Sequence, residues 1–184
     1  MKFQLQRLLA PLVLGVTVAF VGCVSVPKGG DATLEFINPE GFVDLQIPGK
    51  TREETVPVVM TSLQQEVRDL ARDSIPAGFV VRLRITEIDQ AGTIENPGGA
   101  FPIRVVGANS PAVIAFDYAI TGSSNQVVKS GHQRLVQIPE NLQPFMDTDS
   151  PVPLIKYMLG DWMGSLGWEL RHRSRGTVKT GQTP

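Results

Sequence analysis

The chain has 184 residues, 42% apolar and 19% charged, which suits one globular domain with end segments and excludes a wholly disordered chain. The net charge of −1 hides an asymmetry: Lys2 and Arg7 stand alone at the front, and Arg171, Arg173, Arg175 and Lys179 crowd the end without an acid, leaving eleven basic residues against 18 acidic ones between them. So acidic a body has no electrostatic footprint for nucleic acid, and the single cysteine, Cys23, excludes an intramolecular disulfide and a cysteine-based metal site.

Residues 1–22 read as an export signal. Lys2 and Arg7 form a positive leading region, and Leu8 to Val21 is apolar for about 14 residues, short for a membrane span and suited to the core of a signal. The segment ends in Phe20-Val21-Gly22-Cys23, which resembles a bacterial lipobox with Phe20 where leucine is usual. Cys23 is the expected lipidation site, and two or more acyl chains there would make a stable anchor. Val24, where aspartate would retain a lipoprotein at the inner membrane, fits the outer-membrane default. Cleavage nearby, after Ser25, is the alternative and yields a soluble periplasmic or secreted protein.

Residues 23–32 form a tether, and 33–170 the folded domain. Thr33 to Ile37 is a short strand, closed by Asn38-Pro39-Glu40-Gly41. Phe42 to Lys50 is irregular. Val56, Val59, Met60, Leu63, Val67, Leu70 and Ala71 recur at helical spacing. Thr51-Arg52-Glu53-Glu54 has the form of a capping box, but a helix starting there puts Pro57 beyond the first turn, so the predicted start is Thr55 and the end Ile75.

Gly78 to Gly92 is the strongest strand signal. Phe79, Val81, Leu83 and Ile85 alternate with Val80, Arg82, Arg84 and Thr86, and then the phase slips to Ile88. Either a β-bulge lies near Thr86 or Glu87, re-aiming Asp89, or the strand ends at Thr86. Ala91 to Ser110 is rich in Gly and Pro, with a short strand at Ile103 to Val106. Pro111 to Thr121 and Gln126 to Ile138 are strands joined by the loop Gly122-Ser123-Ser124-Asn125, with Gly131 a candidate second bulge. Ser150 is the expected cap of a last helix with Pro151 at its first position and an apolar stripe of Leu154, Tyr157, Met158, Trp162 and Leu166. Residues 171–184 read as a basic flexible tail. The fold class is α+β: a two-layer sandwich of a mainly antiparallel sheet of about four strands with two helices on one face.

Phe36-Ile37-Asn38-Pro39-Glu40 with Phe42 and Asp44, Leu63 to Pro76 with Gly78, Ile88-Asp89-Gln90-Ala91-Gly92 followed by Glu95, Ile103-Arg104 with Pro111, and Leu159-Gly160-Asp161-Trp162 together resemble the bacterial domain-of-unknown-function family 3016. The similarity runs from about Thr33 to Trp162. Gln90 stands where that family tends to have leucine, and Gln137-Ile138-Pro139 replaces an aspartate–aromatic segment. The resemblance implies export and, often, lipidation; it implies no activity.

Glu87, Asp89 and Glu95 bracket the end of the central strand, with Arg104 following. Paired carboxylates can do acid–base work or bind a cation, and Asp89, Glu95 and Arg104 are the candidate ligand-binding residues. The competing reading is a solvated strand end with Asp89 or Glu95 paired to Arg104. His132 has no partner at a recognisable catalytic spacing, and His172 falls in the tail. Asp147-Thr148-Asp149 lacks the glycine and distal glutamate of a calcium loop. Ser62, Ser123 and Ser124 lie in no nucleophile elbow. No phosphate loop or dinucleotide fingerprint implies a cofactor. Trp162 is expected as a core anchor, whereas Trp168 suits core or surface. These readings favour a non-catalytic envelope lipoprotein that meets the membrane through its anchor and a protein partner through its body. A hydrolase-like enzyme using Asp89 and Glu95, and a module binding a small ligand or cation near residues 91–110, are the alternatives.

Overall fold

The computed structural model describes residues 29–99, 101–107, 110–138 and 150–176. The export signal with Cys23, the tether as far as Lys28, residues 147–149 and the segment after Gly176 lie outside them.

Strand β1 (Asp31–Phe36) leads through a packed loop into helix α1 (Arg52–Ser74), which returns to β2 (Val80–Asp89). Two short strands follow, β3 (Thr93–Glu95) and β4 (Ile103–Val105), and then the hairpin of β5 (Ala112–Thr121) and β6 (Val127–Gln137) and the last helix, α2 (Pro153–Gly176). The main sheet has the order β1-β2-β5-β6, and β3 pairs with β4 in a separate sheet. β1 runs parallel to β2, as a strand–helix–strand crossover allows, while the other two pairings are antiparallel. The fold is thus α+β, with a mixed sheet and both helices on one face.

The buried stripe of α1, Thr55, Val59, Leu63, Val67 and Ala71, comes from four-residue spacing. It shares one core with Val81, Leu83, Ile85 and Ile88 of β2, Ile114, Phe116 and Ile120 of β5, and Ile155, Leu159 and Met163 of α2. Each such side chain contributes about 1.5–3 kcal/mol by leaving water. Trp162 stands edge-on to Phe116 and Tyr118, with ring centroids 4.8 and 5.3 Å away, and fixes α2 over β5. Trp162 is a core anchor, as expected. Tyr157 is not part of the buried stripe, being 49% exposed.

Four local expectations are corrected. Helix α1 starts at Arg52, because the capping box forms in full: Thr51 accepts from the Glu54 N–H and Glu54 accepts from that of Thr51. Pro57 lies inside the helix on its exposed side, where it cannot donate to the Glu53 carbonyl one turn back. Helix α2 starts at Pro153, and Ser150 accepts from the Val152 N–H (3.1 Å) ahead of it. The helix continues to Gly176, so Arg171, His172 and Arg173 occupy its last turns, and His172 stacks on Trp168 at 4.1 Å. Gly131 pairs in regular register with Tyr118; a Cβ there would lie 3.0 Å from the Tyr118 hydroxyl, and the irregularity of β6 falls at Val128 instead.

The bulge in β2 is present. Ile85 pairs with Phe116 and Glu87 with Ala115, leaving Thr86 as the extra residue. The slip keeps Ile88 in the core and turns Glu87 and Asp89 to the opposite face.

Candidate functional site

Asp89 ends β2 beside the loop that follows β1. The Val43 N–H donates to the Ile88 carbonyl (2.8 Å), extending the parallel pairing, and this lays Asp44 close to Asp89. Burial raises the Asp89 carboxyl above the usual aspartate range; Asp44 and Glu87 push the same way, and Arg104 opposes them.

Arg104 lies on β4, but its guanidinium serves four main-chain carbonyls: Nη1 donates to Ala91 and Gly92 (3.2 Å each), and Nη2 to Asp44 and Gln46 (2.7 Å each). Burial lowers its pKa, though a guanidinium stays charged at physiological pH. Arg52 does the same for the start of that loop, donating to the carbonyls of Glu40 and Phe42 at 2.8 Å. The two arginines and the buried Phe42 and Leu45 explain why a segment without regular structure is fixed.

Glu95 is exposed on β3 and accepts from the Thr93 hydroxyl at 3.5 Å. The carboxylates that act on Asp89 are those of Asp44 and Glu87. The structure therefore joins Asp89 with Arg104 electrostatically and leaves Glu95 apart. Among the described residues no ion pair links Arg104 to Asp89 or Glu95, since the guanidinium is occupied by carbonyls.

Next to this corner an open groove of about 530 Å³ is lined by Gln46, Ile47, Gln90, Arg104, Ser150 and Pro153, among others. Gln90 is 7% exposed and donates to the Pro151 carbonyl (3.2 Å), tying the end of β2 to the approach to α2. A leucine could not make that bond. The sequence marks Asp44 and Gln90 only within the segments that resemble the family, Gln90 as a departure from it; the parallel continuation past β1 is what brings Asp44 in.

The face of the sheet that no described element covers carries a row of charges, one per strand. Arg84 reaches Glu35 (3.2 Å) and Asp117 (3.9 Å), and Asp117 meets His132 Nδ1 (3.0 Å). In the next row Glu87 and Arg134 pair at 3.0 and 3.1 Å across β5, because Ala115 between them is too small to intervene. Arg134 holds the Glu87 carboxyl below the usual glutamate range. The His132–Asp117 pair escaped sequence reading because a plain count back from the turn puts Gly131 opposite Asp117; the bulge at Val128 shifts His132 there. All these groups are roughly half exposed, so each pair contributes little to stability.

Along the outer side of α2, a shallow groove of about 240 Å³ separates the helix from the outer edge of β6, which no described strand pairs with; Leu135, Val136, Tyr157, Met158 and Trp162 line it. Trp168, one helical turn and more beyond, is 60% exposed. Among the described residues no helix is long and apolar enough to cross a membrane, and no three histidine, cysteine or acidic side chains are grouped to hold a metal.

No curated protein matches the chain significantly. Solved structures with a similar course include a Xanthomonas campestris protein of the family DUF330 (13% identity, 84% of this chain and 92% of that one, TM-score 0.39). Others are a PelC dodecamer from Paraburkholderia phytofirmans (8% identity, 78% and 90%, TM-score 0.37) and a minor lipoprotein from Acinetobacter baumannii (10%, 80% and 95%, TM-score 0.28). At these values the likeness carries no inference about function. The family model described as protein of unknown function (DUF3016) matches residues 30–165, most of the chain and all of the sheet. The chain belongs to the DUF3016 family.

Proposed function

We propose that this is a lipid-anchored protein of the bacterial envelope, held through Cys23 in the outer membrane facing the periplasm, that acts by binding a protein partner. The signal and the lipobox-like end at Cys23 support the anchor. The observation that carries the partner is the outer edge of β6, unpaired among the described residues, with its groove against α2. Tyr157 is 49% exposed there, over an apolar floor of Leu135 and Met158, and Val136, 51% exposed, stands on the other face of the same edge. An edge strand offers unpaired main-chain groups to an added strand, and the groove offers pockets for its side chains.

Cross-linking in the native envelope followed by stringent purification tests this reading. The expected result is a discrete partner, recovered with the wild type and lost with Val136→Lys. Equal recovery by both would remove β6 as the binding edge. Cys23→Ser is expected to move the protein out of the outer-membrane fraction; retention there would contradict the anchor.

A second reading rests on the groove at Gln90 and Arg104, whose size suits a small ligand. It predicts that an envelope-relevant ligand raises the melting temperature of the wild type and not of Gln90→Leu. Equal shifts in both proteins would dismiss it.

A further inference from the structure

Gly29, the first described residue, lies against the main chain of Arg72 with no room for a Cβ, and the Gly30 N–H donates to the Ile75 carbonyl (2.7 Å). The same end of α1 receives α2: Gly167 sits against the Ser74 carbonyl, and Arg171 Nη1 donates to it at 2.8 Å. The chain therefore enters the fold beside the last turns of α2. Register places the start of β6 at this pole too, since Asp31 faces Val80, Val80 faces Thr121 and Thr121 faces Val127. Lys129 pairs with Glu169, which draws that strand end to the helix.

The pole has its own surface chemistry. Trp168 and Val127 are each 60% exposed and Val128 is 43% exposed. Around them stand Arg171, stacked His172 and Arg173; Glu169 beside them pairs with both Lys129 and Arg173 (2.7 Å), which leaves basic groups in excess at this surface. An exposed indole beside clustered arginines suits a membrane interface, where tryptophan sits at headgroup depth and basic side chains meet anionic lipid. Chain length favours that occupant: Cys23 is six residues before Gly29, a reach of about 20 Å when fully extended.

We propose that this pole docks on an anionic phospholipid bilayer, with Trp168 entering the interface and Arg171 and Arg173 over the headgroups. The placement rests on the Cys23 anchor reading. It makes the lipid surface a second attachment, and points the Gln90–Arg104 groove, at the opposite end of β2, away from the membrane.

The test uses the full chain purified from its envelope and reconstituted in phosphatidylcholine vesicles, with or without phosphatidylglycerol, carrying brominated acyl chains as quenchers. Wild-type tryptophan fluorescence is expected to be quenched in anionic vesicles. Trp168→Phe is expected to abolish this quenching, because Trp162, partly buried and edge-on to Phe116 and Tyr118, remains as an internal control. Raising salt from about 0.1 to 1 M, which shortens the screening length from about 10 to 3 Å, is expected to relieve part of it. Arg173→Gln, which removes the Arg173–Glu169 pair but leaves the Lys129–Glu169 pair and the Arg171–Ser74 contact intact, is expected to reduce it in anionic vesicles only. No quenching in the wild type, or equal quenching in Trp168→Phe, overturns the docking. Mass spectrometry of the mature N-terminus is read separately: a Cys23 without acyl mass sinks the anchor, while the quenching still decides whether the pole meets lipid.

Discussion

Arg104 shows how a residue with the chemistry of a ligand site can be structural. Its four carbonyl partners come from two separate stretches, so its loss would release the loop at Asp44 to Gln46 from the turn at Ala91 to Gly92. Arg104→Met is expected to cost about 3 kcal/mol, measured by urea unfolding, with part of that recovered in Arg104→Lys. Asp89 and Glu87 give opposite pH signatures from one strand. The native state takes up a proton at Asp89 more readily than the unfolded chain, so the ionised group destabilises the fold above its raised pKa. Asp89→Asn is therefore expected to raise the melting temperature at neutral pH, with the gain closing as pH falls through the raised value. Glu87, held low by Arg134, stabilises above the ordinary glutamate pKa and loses that contribution as pH falls through its lowered one. Glu87→Gln should lower the melting temperature at neutral pH and change little in strong acid. That Asp89 and Arg104 sit together was legible in their spacing around the strand end. That Arg104 would turn to carbonyls was not, because main-chain acceptors leave no mark on side-chain identity.

Among the elements, the helix pair offers a matched test. Gly164 has open space where a Cβ would stand, so Gly164→Ala is expected to stabilise by about 1 kcal/mol through helix propensity alone. Gly167 meets the main chain of Ser74, so Gly167→Ala is expected to destabilise by about 3 kcal/mol by forcing α1 and α2 apart. Thermal and urea unfolding of the two variants would separate packing from propensity. The Thr86 bulge was legible because the apolar phase changes on one strand, from Ile85 to Ile88. The one at Val128 was not, since β6 is an edge with alternating burial too weak to carry a phase. The start of α1 falls at Arg52 and not at Thr55 because the reciprocal cap of Thr51 and Glu54 outweighs one proline. Strands β3 and β4 are three residues each and too short for any period to register, though a short strand at Ile103 to Val106 is expected from the sequence and β4 ends one residue earlier.

At the scale of the molecule, the layers followed from the order of periodicities, and the parallel placement of β1 did not. A hairpin loop advertises antiparallel neighbours, whereas nothing in Asp31 to Phe36 says on which edge, or in which direction, the strand will lie. The resulting polarity is itself testable. With Cys23 as the sole native cysteine, an impermeant maleimide is expected to label Asn96→Cys freely on vesicle-bound protein and Ser124→Cys slowly, since Ser124 lies at the pole of Gly29 and Trp168. Equal rates would contradict the orientation. The parallel first strand also sets how the protein bears force. In a chain tethered ahead of Gly29, tension enters at the first residue of β1 and runs along the strand, across hydrogen bonds to β2 that extend from Asp31 to Phe36. Those bonds share the pull as a lap joint does, all strained at once, where a terminal hairpin would peel open bond by bond. A load taken up on the far side of the body would meet resistance along the whole length of that joint.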